Sequence, residues 1–226
     1  MAKLATRTLA ITMMALFGFI TVQLTPAGSA QAAPGPVVKS GDMFNDVLGG
    51  APDGACTGIV GRDRNTDKKY VVEPGHCGEK GRSVNHEGWT SVGRLIHTVN
   101  TVTGAGQINR LDIGLIELNR NVRVAPSGLR VASPEVGEPI LKHGYGILSY
   151  GYAKGNVTHV YGTDFRINIQ CSPFDSGGTV VNSRGELVGI ISRGFSSYVG
   201  EDTVAMRFDA IVTYLRQNLG IDFQVL

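Results

Sequence analysis

The sequence predicts an all-β fold, a sandwich or a pair of barrels, followed by one helix near its end. Three observations carry this. The 226 residues include 31 glycines but only 9 prolines, and the glycines have no fixed period, which excludes collagen and implies many tight turns. Apolar or alternating runs are short and separated by Gly, Asn and Asp clusters, the pattern of strands joined by turns. Apolar spacing of three and four residues is convincing at one place only, after Asp209. With 42% hydrophobic and 18% charged residues, the chain is not disordered. Its length suits one domain of ordinary size or one with two lobes.

Taken in order, the chain opens with Lys3 and Arg7, an apolar run over residues 9–20, and small residues at Ala30 and Ala32. This is the pattern of a cleaved secretory signal spanning residues 1–32. An apolar run of about a dozen residues falls short of the ~20 needed to cross a bilayer. A soluble, exported product is expected, in an oxidising compartment where cystines persist. Removing Lys3 and Arg7 leaves 19 basic against 19 acidic residues. A formally neutral chain lacks the charge footprint of nucleic-acid or anionic-membrane binding. Residues 33–46 carry Pro and Gly without periodicity and read as a flexible leader, with the globular domain over 47–226.

Strands are expected over residues 57–61, 69–73, 94–99 and 113–118. Val180-Val181 and Leu187-Val188 flank a four-residue turn signal, a hairpin with Gly185 where φ > 0 is needed. Asp209 is placed to cap a helix over 209–219, in which Ile211, Val212, Leu215 and Leu219 share a face, and Gly220 stops it. Cys56, Cys77 and Cys171 allow three single pairings and leave one thiol over.

Ser176 lies in Phe174-Asp175-Ser176-Gly177-Gly178, where two glycines allow a sharp turn and leave the hydroxyl unobstructed. A serine hydroxyl becomes a nucleophile only beside a base, usually histidine, itself oriented by a carboxylate. His76, in Pro74-Gly75-His76-Cys77-Gly78, and Asp112, in Leu111-Asp112-Ile113-Gly114-Leu115, are the candidates. Asp112 interrupts an apolar strand, where a charge is costly unless a partner satisfies it. Each residue alone is weak evidence; a serine between an acid and glycines is usually a turn.

Taken together, the order His, Asp, Ser resembles the chymotrypsin/trypsin-like serine proteases, most closely their secreted bacterial branch of streptogrisin and α-lytic protease type. The likeness runs over residues 47–219. It rests on Leu48-Gly49-Gly50 followed by Cys56, on Gly75-His76-Cys77, on the segment from Leu187 to Gly194, and on the stretch from Val204 to Leu219. It implies two six-stranded antiparallel β-barrels, about residues 47–125 and 126–208, with a C-terminal helix. It further implies peptide hydrolysis through an acyl-enzyme, with His76, Asp112 and Ser176 as the catalytic triad and no metal or organic cofactor. A polypeptide substrate and a monomer follow. A Cys56–Cys77 disulfide is implied beside His76. Leu141 and Lys154 stand where a second bridge is usual, and Cys171 is left as a buried free thiol.

The same likeness assigns the oxyanion hole to the N–H groups of Phe174 and Ser176. Phe174 replaces a glycine, whose backbone freedom a bulky residue lacks. A flipped peptide there would leave an inactive protease-like protein that uses the crevice to bind peptides. Asp175 and Lys142 are expected to form a structural ion pair that holds this loop without any activating cleavage. Ser192, Arg193 and Gly194 would align the substrate strand, with Gln170 and Thr203 at the specificity pocket. Uncharged residues before Cys171 predict cleavage after apolar or uncharged side chains. His86, His97, His143 and His159 lack ligand spacing and read as structural or surface residues.

Overall fold

The computed structural model describes residues 35–46, 55–86, 90–101, 110–147, 149–193 and 203–226. The first half supplies nine strands: β1 (Val37–Val38), β2 (Met43–Asp46), β3 (Ala55–Thr57), β4 (Ile59–Asp63), β5 (Lys69–Glu73), β6 (Ser83–His86), β7 (Thr90–Asn100), β8 (Asp112–Leu118) and β9 (Arg123–Val124). The second half supplies β10 (Pro139–Gly144), β11 (Gly151–Val160), β12 (Asp164–Ile167), β13 (Thr179–Asn182), β14 (Leu187–Arg193) and β15 (Thr203–Arg207). Helix α1 (Phe208–Leu219) and strand β16 (Phe223–Val225) follow.

Strands β10, β11, β12, β15, β14 and β13 form a closed antiparallel barrel in that order. The first half forms a sheet in the order β16-β4-β5-β8-β7-β6-β2-β3. Its two flanks, β3 and β4, are one length of chain broken only at Gly58, so the sheet curls round on itself. With β16 set aside, counting β3 and β4 as one bent strand leaves six strands, the number expected of the first barrel, in a half-barrel sheet whose edges, among the described residues, are not hydrogen-bonded to each other.

Strands β4, β5 and β8 each carry adjacent apolar residues, Ile59-Val60, Val71-Val72 and Leu115-Ile116, because both faces of the sheet are buried there. Successive side chains point to opposite faces of a sheet. Val60, Val71 and Ile116 fill the first barrel together with Phe44 and Leu95. Their neighbours Ile59, Tyr70, Val72, Ile113 and Leu115 point the other way. There they meet Leu187, Ile190, Val204 and Met206 of the second barrel and Phe208, Ile211 and Leu215 of α1. A separate cluster around Phe165, Ile167, Val180, Val188 and Ile191 fills the second barrel. The two barrels are thus joined by a core of their own, which fixes how they meet.

Two expectations are corrected and one unforeseen strand is added. The segment expected as a flexible leader is paired from residue 37 on: β1 lies parallel to β9, and β2 lies between β3 and β6. Phe44, 1% exposed, anchors it in the first barrel. Asp209 does not cap α1. The cap position is Arg207, which makes no side-chain cap, and Asp209 sits inside the first turn, bonded to the Ala210 N–H and to Arg207 and Ser133. Strand β16, unexpected from its three residues, pairs with β4 and returns the C-terminal segment to the first barrel. The hairpin between β13 and β14 has Gly185 at φ 76°, and Gly220 ends α1 at φ 68° with its N–H on Leu215 O. The signal segment and Leu48-Gly49-Gly50 lie outside the described residues.

Candidate active site

His76 sits in a single 3₁₀ turn, Gly75–Cys77, directly after β5. The turn lies hard against β7 and β8: a Cβ on Gly75 would meet Val99 O at 2.2 Å and Ile113 O at 2.8 Å, closer than any side chain permits. The Thr98 hydroxyl donates to Gly75 O, 2.8 Å. Cys77 is tied to Cys56 of β3 by a disulfide. The turn is therefore held on both sides, which restricts where the imidazole points.

Asp112 opens β8 and is fully buried. Its carboxylate is satisfied on both oxygens. The His76 backbone N–H donates to Oδ1, 2.9 Å, and His76 Nδ1 lies 2.8 Å from Oδ2. The Ser192 hydroxyl, from β14 of the other barrel, donates to Oδ2, 2.5 Å. With Nδ1 protonated and facing the carboxylate, Nε2 is left as the acceptor. Nε2 lies 2.9 Å from Ser176 Oγ. One continuous hydrogen-bonded chain thus runs Ser176–His76–Asp112–Ser192 between the two barrels.

The loop from Cys171 to Gly178 carries Ser176. Gly177 has φ 79°, and a Cβ there would overlap Thr57 O at 1.7 Å. This close approach lets Thr57 donate both its N–H, 2.9 Å, and its hydroxyl, 3.3 Å, to Ser176 O. Phe174 takes the left-handed conformation, φ 77°, despite its side chain. The Pro173 carbonyl accepts from the Ile147 N–H, 3.2 Å. No peptide is cis, so the Phe174 N–H faces away from Ile147. Among the described residues, no hydrogen bond takes up the N–H of Phe174 or of Ser176.

Asp175 and Lys142 are both buried, 1% and 0% exposed, with Nζ 2.6 Å from Oδ1. Lys142 also donates to Ser149 O, 3.1 Å, and Asp175 accepts from the N–H groups of Gly146 and Ser172, 3.0 and 2.9 Å. The Ser149 hydroxyl donates to Asp175 Oδ2 in a short contact and lies 2.9 Å from Ser172 Oγ. A buried ion pair is tolerated when further hydrogen bonds satisfy both charges, as here.

The remaining expected residues are placed as follows. Gln170 is exposed beside buried Ile169. Thr203 is buried, and its hydroxyl donates to Ile169 O, 2.5 Å, rather than to open space. Arg193 ends β14 half-buried, and Gly194 lies outside the described residues. Ser192 faces Asp112. Cys171 is a buried free thiol, and burial pushes it up to about 11, so it stays protonated and unreactive at neutral pH. Leu141 and Lys154 are direct cross-strand partners in β10 and β11. Donor atoms of Cys56, His76 and Cys77 lie within 4.8 Å of one another, but both sulfurs are spent on the disulfide.

The sequence matches the trypsin family over residues 50–215. The chain belongs to the trypsin family. No curated protein matches it in sequence. Among solved structures, it is similar to the Nocardiopsis protease at TM-score 0.59 and 14% identity, covering 84% of this chain and 98% of that one. Protease A of Thermobifida fusca aligns at 0.58 and 15% identity, covering 84% and 100%. A glutamic-acid-specific serine protease, described as using a histidine triad in substrate binding, aligns at 0.59 and 17% identity with the same coverage. At these identities the likeness is one of fold, that of the bacterial chymotrypsin-like enzymes. The trypsin family is one of serine endopeptidases, whose substrates are polypeptides.

Thr57, Ser149 and Ser172 escape sequence reasoning. Thr57 starts an expected strand, with nothing to show what its hydroxyl meets, and Ser149 and Ser172 lie in loops, where a small hydroxyl ordinarily faces solvent. Only the fold brings them to Ser176 and Asp175.

Proposed function

We propose that this trypsin-family chain is a secreted serine endopeptidase that cleaves polypeptides through an acyl-enzyme. The observation that carries the reading is the chain of hydrogen bonds from Ser176 Oγ to His76 Nε2 and from Nδ1 to buried Asp112. In the general triad scheme, Ser176 Oγ attacks the scissile carbonyl carbon while Nε2 takes its proton. Asp112 remains ionised, fixing the tautomer and stabilising the imidazolium. Collapse of the tetrahedral intermediate breaks the C–N bond, and the proton on Nε2 leaves with the amine. Water, deprotonated by the same nitrogen, then hydrolyses the ester and restores Ser176.

The N–H groups of Phe174 and Ser176 are the proposed oxyanion donors. Their freedom from internal partners and the left-handed φ of Phe174 support this role, because preorganised donors lose no partner when charge develops. The Lys142–Asp175 pair is proposed to hold that loop in place from within the chain, so no proteolytic activation is required. Ser192 acts through Asp112, while Arg193 and Gly194 guide the substrate backbone and Gln170 and Thr203 border a pocket for uncharged side chains. Export by the N-terminal signal agrees with a disulfide, which persists in oxidising compartments.

A fluorophosphonate tests the reading. The expected result is one covalent adduct on Ser176, lost in Ser176→Ala and slowed by at least a hundredfold in His76→Ala. Intact-mass measurement showing no adduct on folded protein would assign the crevice to peptide binding without turnover.

A further inference from the structure

The turn between β10 and β11 carries the densest exposed apolar surface among the described residues. Ile147, Tyr150 and Tyr152 are 66%, 76% and 72% exposed. Tyr152 stands directly opposite His143 in the strand register, with ring centroids 4.6 Å apart. Tyr145 meets His143 at 5.6 Å and Tyr150 at 5.7 Å, both edge to face. Burial, with Lys142 beside it, holds His143 below the ordinary imidazole range against the opposing pull of Asp175, so this ring enters the cluster uncharged near neutral pH.

This face adjoins the loop that carries Ser176. Its turn is pinned to the nucleophile loop through Ile147 N–H on Pro173 O, Gly146 N–H on Asp175, and the Ser149 hydroxyl on the same carboxylate. The barrel order β14-β13-β10 places β14, with Ser192 and Arg193, on one flank of the Ser176-bearing segment and β10, paired to β13 as far as His143, on the other. If the acyl part of a substrate lies along β14, the leaving part must cross toward β10. Monomeric proteins seldom leave fixed apolar patches uncovered without a binding role.

Resting on the endopeptidase reading, we propose that the His143–Tyr145–Tyr150–Tyr152 face binds the substrate segment beyond the scissile bond. It selects polypeptides with aromatic or large aliphatic residues there. Selectivity then comes from both sides of the cleaved bond, with tyrosines supplying contact area at little entropic cost.

The test compares two decapeptides with the same acyl half, one continuing Phe-Leu and the other Gly-Gly after the scissile bond. In wild-type protein, kcat/KM should favour the Phe-Leu peptide by about tenfold, and Y150S/Y152S should bring that ratio close to one. Calorimetry on Ser176→Ala protein reads the face without turnover. It should show the same preference in Kd, lost when Y150S/Y152S is added. Equal binding of both peptides, or a preference that survives the tyrosine substitutions, overturns the proposal. A protein that binds selectively through the tyrosines but never labels at Ser176 would retire the hydrolase reading and leave the face as a site for aromatic or aliphatic peptide segments.

Discussion

An L-residue held in the left-handed region costs about 1–2 kcal/mol, because Cβ crowds the following carbonyl. Phe174 bears that cost at φ 77°, two residues before Ser176. Such strain persists where the surroundings over-determine it, and here Pro173 O is bonded to Ile147 while Asp175 is bonded on both oxygens. Phe174→Gly removes the strain but gives the unfolded chain about 0.5–1 kcal/mol more entropy to lose. The expected net gain is up to about 1 kcal/mol in guanidinium unfolding, with turnover undiminished since the N–H remains. A loss larger than 1 kcal/mol would show that packing of the ring outweighs its backbone. Ser192 offers a second test at this scale. Ser192→Ala strips one donor from a fully buried carboxylate, a loss of about 1–3 kcal/mol and therefore about ten- to a hundredfold in kcat. KM should move little, and Ser192→Thr should recover most of the rate. A change confined to KM would instead place Ser192 on the substrate.

Loops and strands hold these residues through partners distant in sequence, and the Lys142–Asp175 pair shows how much rides on one such link. Lys142 extends from β10 and Asp175 from the nucleophile loop, with no water between them at 2.6 Å. Replacing Lys142 by Met leaves a buried carboxylate without its cation, which typically costs about 3–5 kcal/mol. We expect K142M to unfold at markedly lower denaturant and to label slowly at Ser176, while Lys142→Arg retains most of both. Equal losses in the two variants would point to shape rather than charge. This pair could be named in advance because charged residues flanking a family motif are visible in sequence, whereas the serines that complete it are not. Element legibility follows a similar division. β5, β8, the β13–β14 hairpin and α1 announce themselves by apolar periodicity or by Gly185 and Gly220 at their ends. β1, β2 and β16 are short strands whose partners lie far off in the chain, so their own residues carry too little pattern. Asp209 looked like a helix cap because its type fits; Arg207, by claiming both its oxygens, draws it into the first turn instead.

Across the whole molecule, the site depends on how two barrels meet, and the core between them, with α1 packed into it, sets that relation. A polar contact bridges the first barrel and α1: His97 Nε2 lies 3.1 Å from the Tyr214 hydroxyl. Burial, and secondarily Lys80, lowers the His97 pKa, and burial does the same at His143 in the second barrel. Both imidazoles therefore stay neutral in the folded chain at a pH where the unfolded chain already takes up protons, near 6.5. Stability from these groups is complete above about pH 6.5 and is lost as the pH falls through their lower folded values, because protons then favour the unfolded state. Thermal unfolding followed between pH 7.5 and 5 should show Tm falling on the acid side. His97→Gln, which keeps a polar partner for Tyr214 but cannot titrate, should flatten that fall while lowering Tm slightly at pH 7.5. An unaltered acid slope in His97→Gln would mean that the bridge between the first barrel and α1 does not sense protons, and that acid lability arises elsewhere in the two barrels.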